Sequence, residues 1–341
     1  MNMKRYDVRS AAFTRLGRFN PDETGCALWW SGSGVRVRLD GRRAEIEATV
    51  ADDDNTPWLC VTADGEPVAR FPLRVGTHRY DLLGAMEAGV AHEIEILRDT
   101  QPTDSDTAPI LLDALYTDGT PAPAAHRPKL IEFIGDSLTV GEGTVGPRDG
   151  MEWRMVWISN QFAFPTLTAA QMQADKRVIA LGGWGAYLSY DANPEHTLGA
   201  IYEQLCGTAA PGQVPYDFAA QRRADAVVIN LGTNDGSGLE KLGGDRASGQ
   251  AALEESAVRL LAQVRAHNPE AAIVWAYGLC GDALAGPLRR AVERRVKEGD
   301  GNLCYLALDD AEELGSRCHP GRRAHQRAAA QIAETLRQMM K

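Results

Sequence analysis

The fold class of this chain is indicated most clearly by residues Lys129-Leu130-Ile131-Glu132-Phe133-Ile134-Gly135-Asp136-Ser137. The first six of these residues form a short, mainly apolar run of the kind that becomes a buried strand, and a tight Gly-Asp turn leads to the serine. Similar runs recur at residues 177–181, 226–231, 272–277 and 302–306, with helical patterns at 164–174, 250–267, 285–297 and 320–339. Near-continuous apolar strands that alternate with helices predict a parallel sheet covered by helices on both faces.

Three polar or glycine-rich segments come directly after predicted strands. Ser137 follows the first strand, Gly182-Gly183-Trp184-Gly185 the second, and Gly232-Thr233-Asn234-Asp235 the third. Ligands of such sheets bind outside the carboxyl ends of the strands, so we expect these three segments to line one crevice. His319 stands immediately before Pro320, where the last helix is predicted to begin, and can reach the same edge.

These residues supply the groups that attack an acyl carbon and hold the resulting oxyanion. Ser137 offers a hydroxyl nucleophile, Gly183 an unhindered N–H and Asn234 a side-chain amide. His319 can act as a general base because the pKa of histidine lies near neutrality. Each residue also has an ordinary structural explanation: a serine or asparagine after a strand is a common cap or turn residue. Only the four segments in this order make the chemical interpretation specific.

Residues 20–118 have a different hydrophobic pattern. The segments 35–39, 44–50 and 92–97 alternate apolar with polar residues, which is the period of a strand with one wet face. Short strands at this spacing predict an antiparallel, jelly-roll-like β-sandwich, and residues 117–123 are typical of a linker. We therefore predict two domains: a sandwich over residues 1–124, and a three-layer α/β/α, flavodoxin-like domain over 125–341.

The composition excludes several classes of partner. A net charge of −10 over 341 residues argues against binding to nucleic acid or an anionic membrane surface. No run reaches the roughly 18 to 20 apolar residues of a membrane span. The N-terminus lacks the apolar core of a signal peptide, so we expect a cytoplasmic protein unless a leader has been removed. Six cysteines without CxxC spacing argue against a structural zinc site and a disulfide framework.

In order and context, the four segments resemble the SGNH (GDSL) hydrolase family over about residues 127–341. The resemblance implies that Ser137 is the nucleophile and His319 the base. It also implies an oxyanion hole made of the Ser137 N–H, the Gly183 N–H and the Asn234 amide, with Gly185 as the alternative glycine. No metal or organic cofactor is implied. The β domain in front, with its segment Trp29-Trp30-Ser31-Gly32-Ser33-Gly34, resembles the first domain of carbohydrate esterase family 2.

One departure from the family pattern concerns the imidazole. SGNH enzymes usually carry Asp three residues before the histidine, and this chain has Ser316 there. Some family 2 esterases use a Ser–His dyad in which a backbone carbonyl holds the imidazole, and we expect the same here. Asp309 and Asp310 are less favoured substitutes. A second departure is Cys318, where some relatives place an aromatic residue.

Three further residues receive supporting roles from the sequence. Asp136 is expected to brace the serine loop by accepting backbone hydrogen bonds. Trp184 and Tyr187, in or near the second crevice loop, are candidates for contact with sugar rings. The ordinary explanation of such aromatic residues is core packing.

The resemblance implies a carboxylic ester hydrolase that removes acetyl groups from O-acetylated sugars or small esters through an acyl-enzyme. Two alternatives remain at this stage. One is another SGNH acylhydrolase of the lipase or thioesterase type, and the other is a carbohydrate-binding protein with a degenerate hydrolase site.

Overall fold

The computed structural model describes residues 3–21, 25–51, 55–82, 89–103, 106, 108–208 and 212–341. The chain divides into two compact units. One consists of Met1–Arg127 with Gln204–Ala220, and the other of Pro128–Glu203 with Gln221–Lys341. Among the described residues, no helix is both long enough and apolar enough to cross a membrane.

The first unit contains two antiparallel sheets. Its strands are β1 (Lys4–Asp7), β2 (Thr14–Leu16), β3 (Cys26–Leu28), β4 (Gly34–Leu39), β5 (Ala44–Val50), β6 (Trp58–Ala63), β7 (Glu66–Pro72), β8 (Gly76–Asp81), β9 (His92–Arg98) and β10 (Ile110–Thr117). One sheet has the order β1-β10-β5-β8, with β3 also paired to β10, and the other has the order β2-β4-β9-β6-β7. In β5 every second residue is buried and belongs to the apolar core, as the period of two predicts.

A segment from the later part of the chain completes this first unit. Gln204–Ala220 belongs to it, although the residues on both sides belong to the second unit. The Trp30 indole N–H donates to the Leu205 carbonyl at 2.7 Å, and the Arg18 guanidinium donates to the Gln204 carbonyl at 2.8 Å. Arg18 also lies 4.2 Å from the centroid of the Tyr216 ring. The sequence-based division at residue 124 assigns this segment to the second domain, because no local pattern marks its return.

The second unit is built on one five-stranded parallel sheet. Its strands are β11 (Lys129–Gly135), β12 (Ala174–Ala180), β13 (Ala226–Asn230), β14 (Ala272–Tyr277) and β15 (Leu303–Ala307), in the order β12-β11-β13-β14-β15. The helices are α1 (Ser137–Val140), α2 (Phe164–Gln171), α3 (Leu198–Ile201), α4 (Thr233–Leu242), α5 (Arg246–His267), α6 (Ala285–Lys297) and α7 (Arg322–Met339). This confirms the predicted parallel α/β fold, which follows an antiparallel sandwich along the chain.

Burial explains why these segments adopt the predicted elements. Strands β13 and β14 are buried along their whole length, which accounts for their nearly continuous apolar sequence. Helix α7 buries one stripe, with Ala324, Ala328, Ile332 and Leu336 at helical spacing. It packs against α2, and α5 packs against α6. Because β11 lies between β12 and β13, the turns that follow these three strands meet at one edge of the sheet.

Candidate active site

The Ser137 turn is encoded by its immediate neighbours. Strand β11 ends at Gly135, and Asp136 caps α1 by accepting the Leu138 N–H on Oδ1 at 3.0 Å. A Cβ at Gly135 would lie 1.9 Å from Thr139 Oγ1, so the turn requires glycine. Ser137 is the first residue of α1, and its own N–H has no acceptor among the described residues. The turn therefore presents a serine hydroxyl and a free backbone donor together.

His319 is hydrogen-bonded to this serine. Its Nε2 lies 3.0 Å from Ser137 Oγ, and its Nδ1 lies 3.0 Å from the carbonyl oxygen of Arg317. A carbonyl oxygen only accepts, so Nδ1 carries the proton and Nε2 accepts from the Ser137 hydroxyl. This is the tautomer that a general base needs.

Neither aspartate considered as a partner of the imidazole is hydrogen-bonded to it among the described residues, and Nδ1 of His319 contacts the Arg317 carbonyl instead. Asp310 Oδ1 accepts from the Gly281 N–H at 3.1 Å and from the Ala311 N–H at 3.0 Å. Asp309 donates its backbone N–H to Gln331. The Arg317 carbonyl is therefore the group that faces Nδ1.

Ser316 occupies the position of the usual aspartate without replacing its contact. Its side chain is buried, and its hydroxyl donates to the Val145 carbonyl at 3.4 Å. Its own carbonyl accepts the His319 backbone N–H at 3.1 Å. Ser316 thus shapes the backbone of the turn.

Two consecutive residues with left-handed backbone turn the Arg317 carbonyl towards the imidazole. Arg317 has φ 54° and ψ 33°, and Cys318 has φ 57°. Each such non-glycine residue costs on the order of 1–3 kcal/mol and persists only where its surroundings impose it. Here the Arg317 N–H donates to the Gly150 carbonyl at 2.7 Å, and its guanidinium pairs with Glu142.

The glycine segment after β12 contains one free backbone donor. Gly183 has φ +85° and is half-buried, and its N–H has no acceptor among the described residues. Gly185 donates its N–H to the His196 carbonyl at 3.4 Å, and a Cβ there would lie 2.0 Å from the Leu188 carbonyl oxygen. Of the two glycines considered from the sequence, Gly183 is the one with an available donor.

Asp235 holds this glycine segment in place. Its buried carboxylate accepts the N–H groups of Ala186 at 3.0 Å, Tyr187 at 2.6 Å and Leu188 at 2.9 Å. Burial raises the pKa of Asp235, and the three backbone hydrogen bonds oppose that shift. Asp235 is part of the Gly232-Thr233-Asn234-Asp235 segment, but the sequence alone did not indicate this role. The available signal was its position next to Asn234.

Asn234 links three of the predicted segments. Its Nδ2 donates to the Trp184 carbonyl at 2.9 Å and to Asp136 Oδ2 at 3.2 Å. Burial, assisted by the charges of Asp235 and Glu142, raises the pKa of Asp136 to about 7, and the bond from Leu138 opposes this. The amide thus already has two acceptors, of which Asp136 is the more distant.

The two aromatic candidates from the sequence have different surroundings. Trp184 is 8% exposed, and its ring stacks on His196 with centroids 4.8 Å apart. Tyr187 lines a cavity of about 570 Å³ whose walls do not include Ser137 or His319; its other lining residues include Thr197, Arg259 and Gln263.

An exposed aromatic ring beside Gly183 belongs to Tyr190, which sequence reasoning missed. Its side chain is 53% exposed, and a Cβ at Gly183 would lie 2.9 Å from its Cδ1. Its backbone N–H donates to the Gly183 carbonyl at 2.8 Å. The available signal was an aromatic residue soon after the glycine segment.

Potential metal ligands are dispersed in the part of the chain that the structure describes. No three His, Cys, Asp or Glu side chains are grouped so that they could hold a metal ion there. None of the six cysteines forms a disulfide, and Cys318, beside the proposed base, is exposed.

Comparison with known protein families assigns both parts of the chain. Residues 133–338 match the GDSL-like lipase/acylhydrolase family, and residues 15–122 match the carbohydrate esterase 2 N-terminal family. The chain belongs to the GDSL-like lipase/acylhydrolase family. Both family resemblances are thereby confirmed, and the predicted class of carboxylic ester hydrolase agrees with the carbohydrate esterase match.

Individual relatives of this GDSL-like protein are carbohydrate-active. The cellulase/esterase CelE of Acetivibrio thermocellus is 25% identical over 332 residues, covering 94% of this chain and 39% of that protein. An acetylxylan esterase/glucomannan deacetylase of Cellvibrio japonicus is 30% identical over 189 residues, covering 54% of this chain and 49% of that protein. The chain thus matches about two fifths of the length of CelE and about half of the length of the Cellvibrio japonicus enzyme.

The similarity extends to a solved structure over nearly the whole fold. The acetyl xylan esterase Est2A from the rumen bacterium Butyrivibrio proteoclasticus is 27% identical, with a TM-score of 0.93. The match covers 99% of this chain and 98% of that one. The order of sandwich and parallel α/β unit is therefore shared with a carbohydrate esterase.

Proposed function

We propose that this protein is a serine esterase that removes acetyl groups from O-acetylated sugars or oligosaccharides through an acyl-enzyme. One observation carries the proposal: His319 Nε2 lies 3.0 Å from Ser137 Oγ, and Nδ1 lies 3.0 Å from the Arg317 carbonyl. This pair can remove the hydroxyl proton as the oxygen attacks an acyl carbon.

The oxyanion formed by this attack would be bound by three donors. The N–H groups of Ser137 and Gly183 are free among the described residues. The Asn234 amide would exchange its 3.2 Å contact with Asp136 for the oxyanion and keep its 2.9 Å bond to the Trp184 carbonyl. Fixed donors of this kind act on the charge that develops in the transition state.

Collapse of the tetrahedral intermediate expels the sugar hydroxyl. The imidazolium of His319 returns its proton to the departing sugar oxygen, which leaves Ser137 acetylated. Water then attacks the acyl-enzyme with His319 again acting as the base. Because Nδ1 stays hydrogen-bonded to the Arg317 carbonyl, Nε2 accepts and returns the proton in both half-reactions.

Sugar as the leaving group is supported by the relatives and by exposed aromatic side chains. Two relatives are named as an acetylxylan esterase or a cellulase/esterase. Tyr190 beside Gly183 is 53% exposed, and Trp153 is 40% exposed in the loop whose Gly150 carbonyl binds the Arg317 N–H. Such rings are suited to contacts with the apolar faces of sugars.

The test is a screen for acetate release from acetylated xylo-, manno- and gluco-oligosaccharides, with the Ser137→Ala variant as the control. We expect release from at least one class and none by the variant. A fluorophosphonate probe should label wild type but not Ser137→Ala, because only an activated serine reacts.

Chain-length preference separates the proposed activity from its rivals. A sugar deacetylase should hydrolyse p-nitrophenyl acetate much faster than the octanoate, whereas a lipase-type acylhydrolase should show the reverse. Absence of both labelling and ester hydrolysis in the folded protein would instead indicate a carbohydrate-binding protein and end the proposal.

A further inference from the structure

A buried carboxylate beside the proposed dyad has no role so far. The Glu142 side chain is 5% exposed. Its Oε1 pairs with the Arg317 guanidinium, and its Oε2 lies 3.7 Å from His319 Nε2. Glu142 is neither the proposed nucleophile nor one of the proposed oxyanion donors. A buried charge at this distance from a histidine that must become charged acts on that step.

We propose that Glu142 and Arg317 form a positioning pair that supplies what the missing triad carboxylate would supply. Arg317 orients the imidazole through its backbone carbonyl, and Glu142 both fixes Arg317 and offsets the positive charge that His319 acquires. This inference rests on the proposed function for its catalytic meaning, but the effect on His319 can be measured without any substrate.

The orienting part of the proposal follows from the strained turn. Arg317 and Cys318 are both left-handed without being glycine, so the turn needs outside restraint. Glu142 restrains the Arg317 side chain from 175 residues away in sequence, and Gly150 restrains its N–H at 2.7 Å. Together these contacts keep the carbonyl 3.0 Å from His319 Nδ1. In a common triad, an aspartate performs this orientation directly.

The charge part follows from the position of the second carboxylate oxygen. Oε2 of Glu142 lies on the Nε2 side of the ring, where the proton from Ser137 arrives. Glu142 favours the charged imidazolium, and the Arg317 guanidinium opposes it. The pair thus places a negative charge beside the nitrogen that receives the proton, and the guanidinium offsets part of that charge.

Other ionisable groups near the imidazole come from the packed elements and set the background of the measurement. Asp136 precedes the nucleophile at the start of α1, and His325 of α7 interacts electrostatically with His319. Arg322 of α7 donates to the Thr144 carbonyl in the same segment as Glu142. These groups stay unchanged in the variants below, so they do not alter the expected signs.

The experiment measures the pKa of His319 by NMR titration of its ring protons in wild type and in variants of the pair. Glu142→Gln keeps the shape of the side chain and removes its negative charge, so we expect the measured pKa of His319 to fall. Arg317→Gln removes the positive charge, so we expect the pKa to rise. The double variant should return towards the wild-type value.

Kinetics provide the second readout. In Glu142→Gln, the acid limb of kcat/KM against pH should move to lower pH with the His319 pKa, and kcat/KM on the plateau should fall by about tenfold. Arg317→Lys keeps the charge but not the planar guanidinium. It should therefore leave the pKa near wild type and still lower kcat.

The matched control is an exposed pair in the neighbouring loop. Glu152 and Arg154 form an ion pair whose side chains are 68% and 55% exposed. Glu152→Gln and Arg154→Gln should leave the His319 pKa unchanged, because solvent screens exposed charges. Thermal melts verify that each variant is folded; if Arg317→Gln does not fold, the sign of the Glu142→Gln shift decides.

Failure of this inference is distinguishable from failure of the proposed function. If no ester is hydrolysed but the two single variants shift the pKa in opposite directions, the positioning pair stands and the function does not. If acetyl esters are hydrolysed but Glu142→Gln leaves both the pKa and the pH profile unchanged, the pair has only a structural role and the inference is overturned.

Discussion

The two halves of the Ser–His pair are built in different ways. The Ser137 turn depends on its own neighbours: Gly135 permits the turn, Asp136 caps the helix, and Ser137 is only 8% exposed. The His319 turn contains two strained residues and is held by Glu142, which lies 175 residues from Arg317 in sequence. The nucleophile is therefore positioned by local sequence, and the base by long-range contacts. This difference predicts that the base is the more sensitive half to distant substitutions.

The largest effect should come from the local half. Ser137→Ala should lower kcat by on the order of 10⁴-fold or more while leaving the melting temperature near wild type, because only the nucleophile is lost. Ser159→Ala is the matched control, since that buried hydroxyl has no hydrogen-bond partner among the described residues. Steady-state kinetics and thermal melts measure both variants. A Ser137→Ala enzyme with appreciable turnover would remove Ser137 from the chemistry.

Asn234→Ala tests the proposed role of the Asn234 amide as an oxyanion donor. It removes the donor that now binds the Trp184 carbonyl and Asp136. We expect kcat to fall on the order of 10²–10³-fold, as for other oxyanion donors, with a smaller change in KM. An unchanged kcat would mean that the Ser137 and Gly183 N–H groups suffice.

Gly143→Ala should disturb the base while sparing the nucleophile. Gly143 has φ +83°, and a Cβ there would lie 2.6 Å from His319 Cβ. Displacement of the imidazole by a fraction of an ångström to 1 Å should lower kcat/KM by roughly 10- to 100-fold.

The control for this substitution separates steric contact from backbone strain. Gly281 has φ +89° with nothing within 4 Å of an added Cβ, so Gly281→Ala should cost about 1 kcal/mol of stability and no activity. Equal activity in the two variants would show that Gly143 does not hold His319 in place.

The smallest predicted effect is a pH dependence of stability from the nucleophile side. The pKa of Asp136 in the folded protein is raised by burial from 3.8 to about 7. The folded state therefore binds the proton more tightly, and this stabilisation is complete below about pH 4 and is lost as the pH rises towards 7. Asp235, whose pKa burial also raises, contributes in the same direction.

Thermal melts from about pH 4 to pH 8 measure this effect. We expect the melting temperature of Asp136→Asn to fall less with rising pH than that of wild type. Asp309→Asn, at an exposed position, should retain the wild-type slope. Identical slopes in all three proteins would show that Asp136 does not titrate in this range.

Much of the site was predictable because its parts lie at the ends of strands. Burial of whole strands makes their sequences apolar, and the parallel order of β12, β11 and β13 places Gly183, Ser137 and Asn234 at one edge. Tyr190 and Asp235 were missed for a physical reason. Their surroundings depend on how the chain folds back after β12 and after β13, and no period or cap signals that path.

The parallel sheet, the preceding sandwich and the order of the four segments follow from local sequence patterns, because burial periodicity and turn residues act over a few neighbouring positions. Two features instead require the folded chain: residues 204–220 complete the first unit, and the Arg317 carbonyl faces the imidazole. Both depend on contacts between groups far apart in sequence. Non-glycine residues do not favour left-handed backbone, so the local sequence does not predict this turn. Packing alone fixes the orientation of His319.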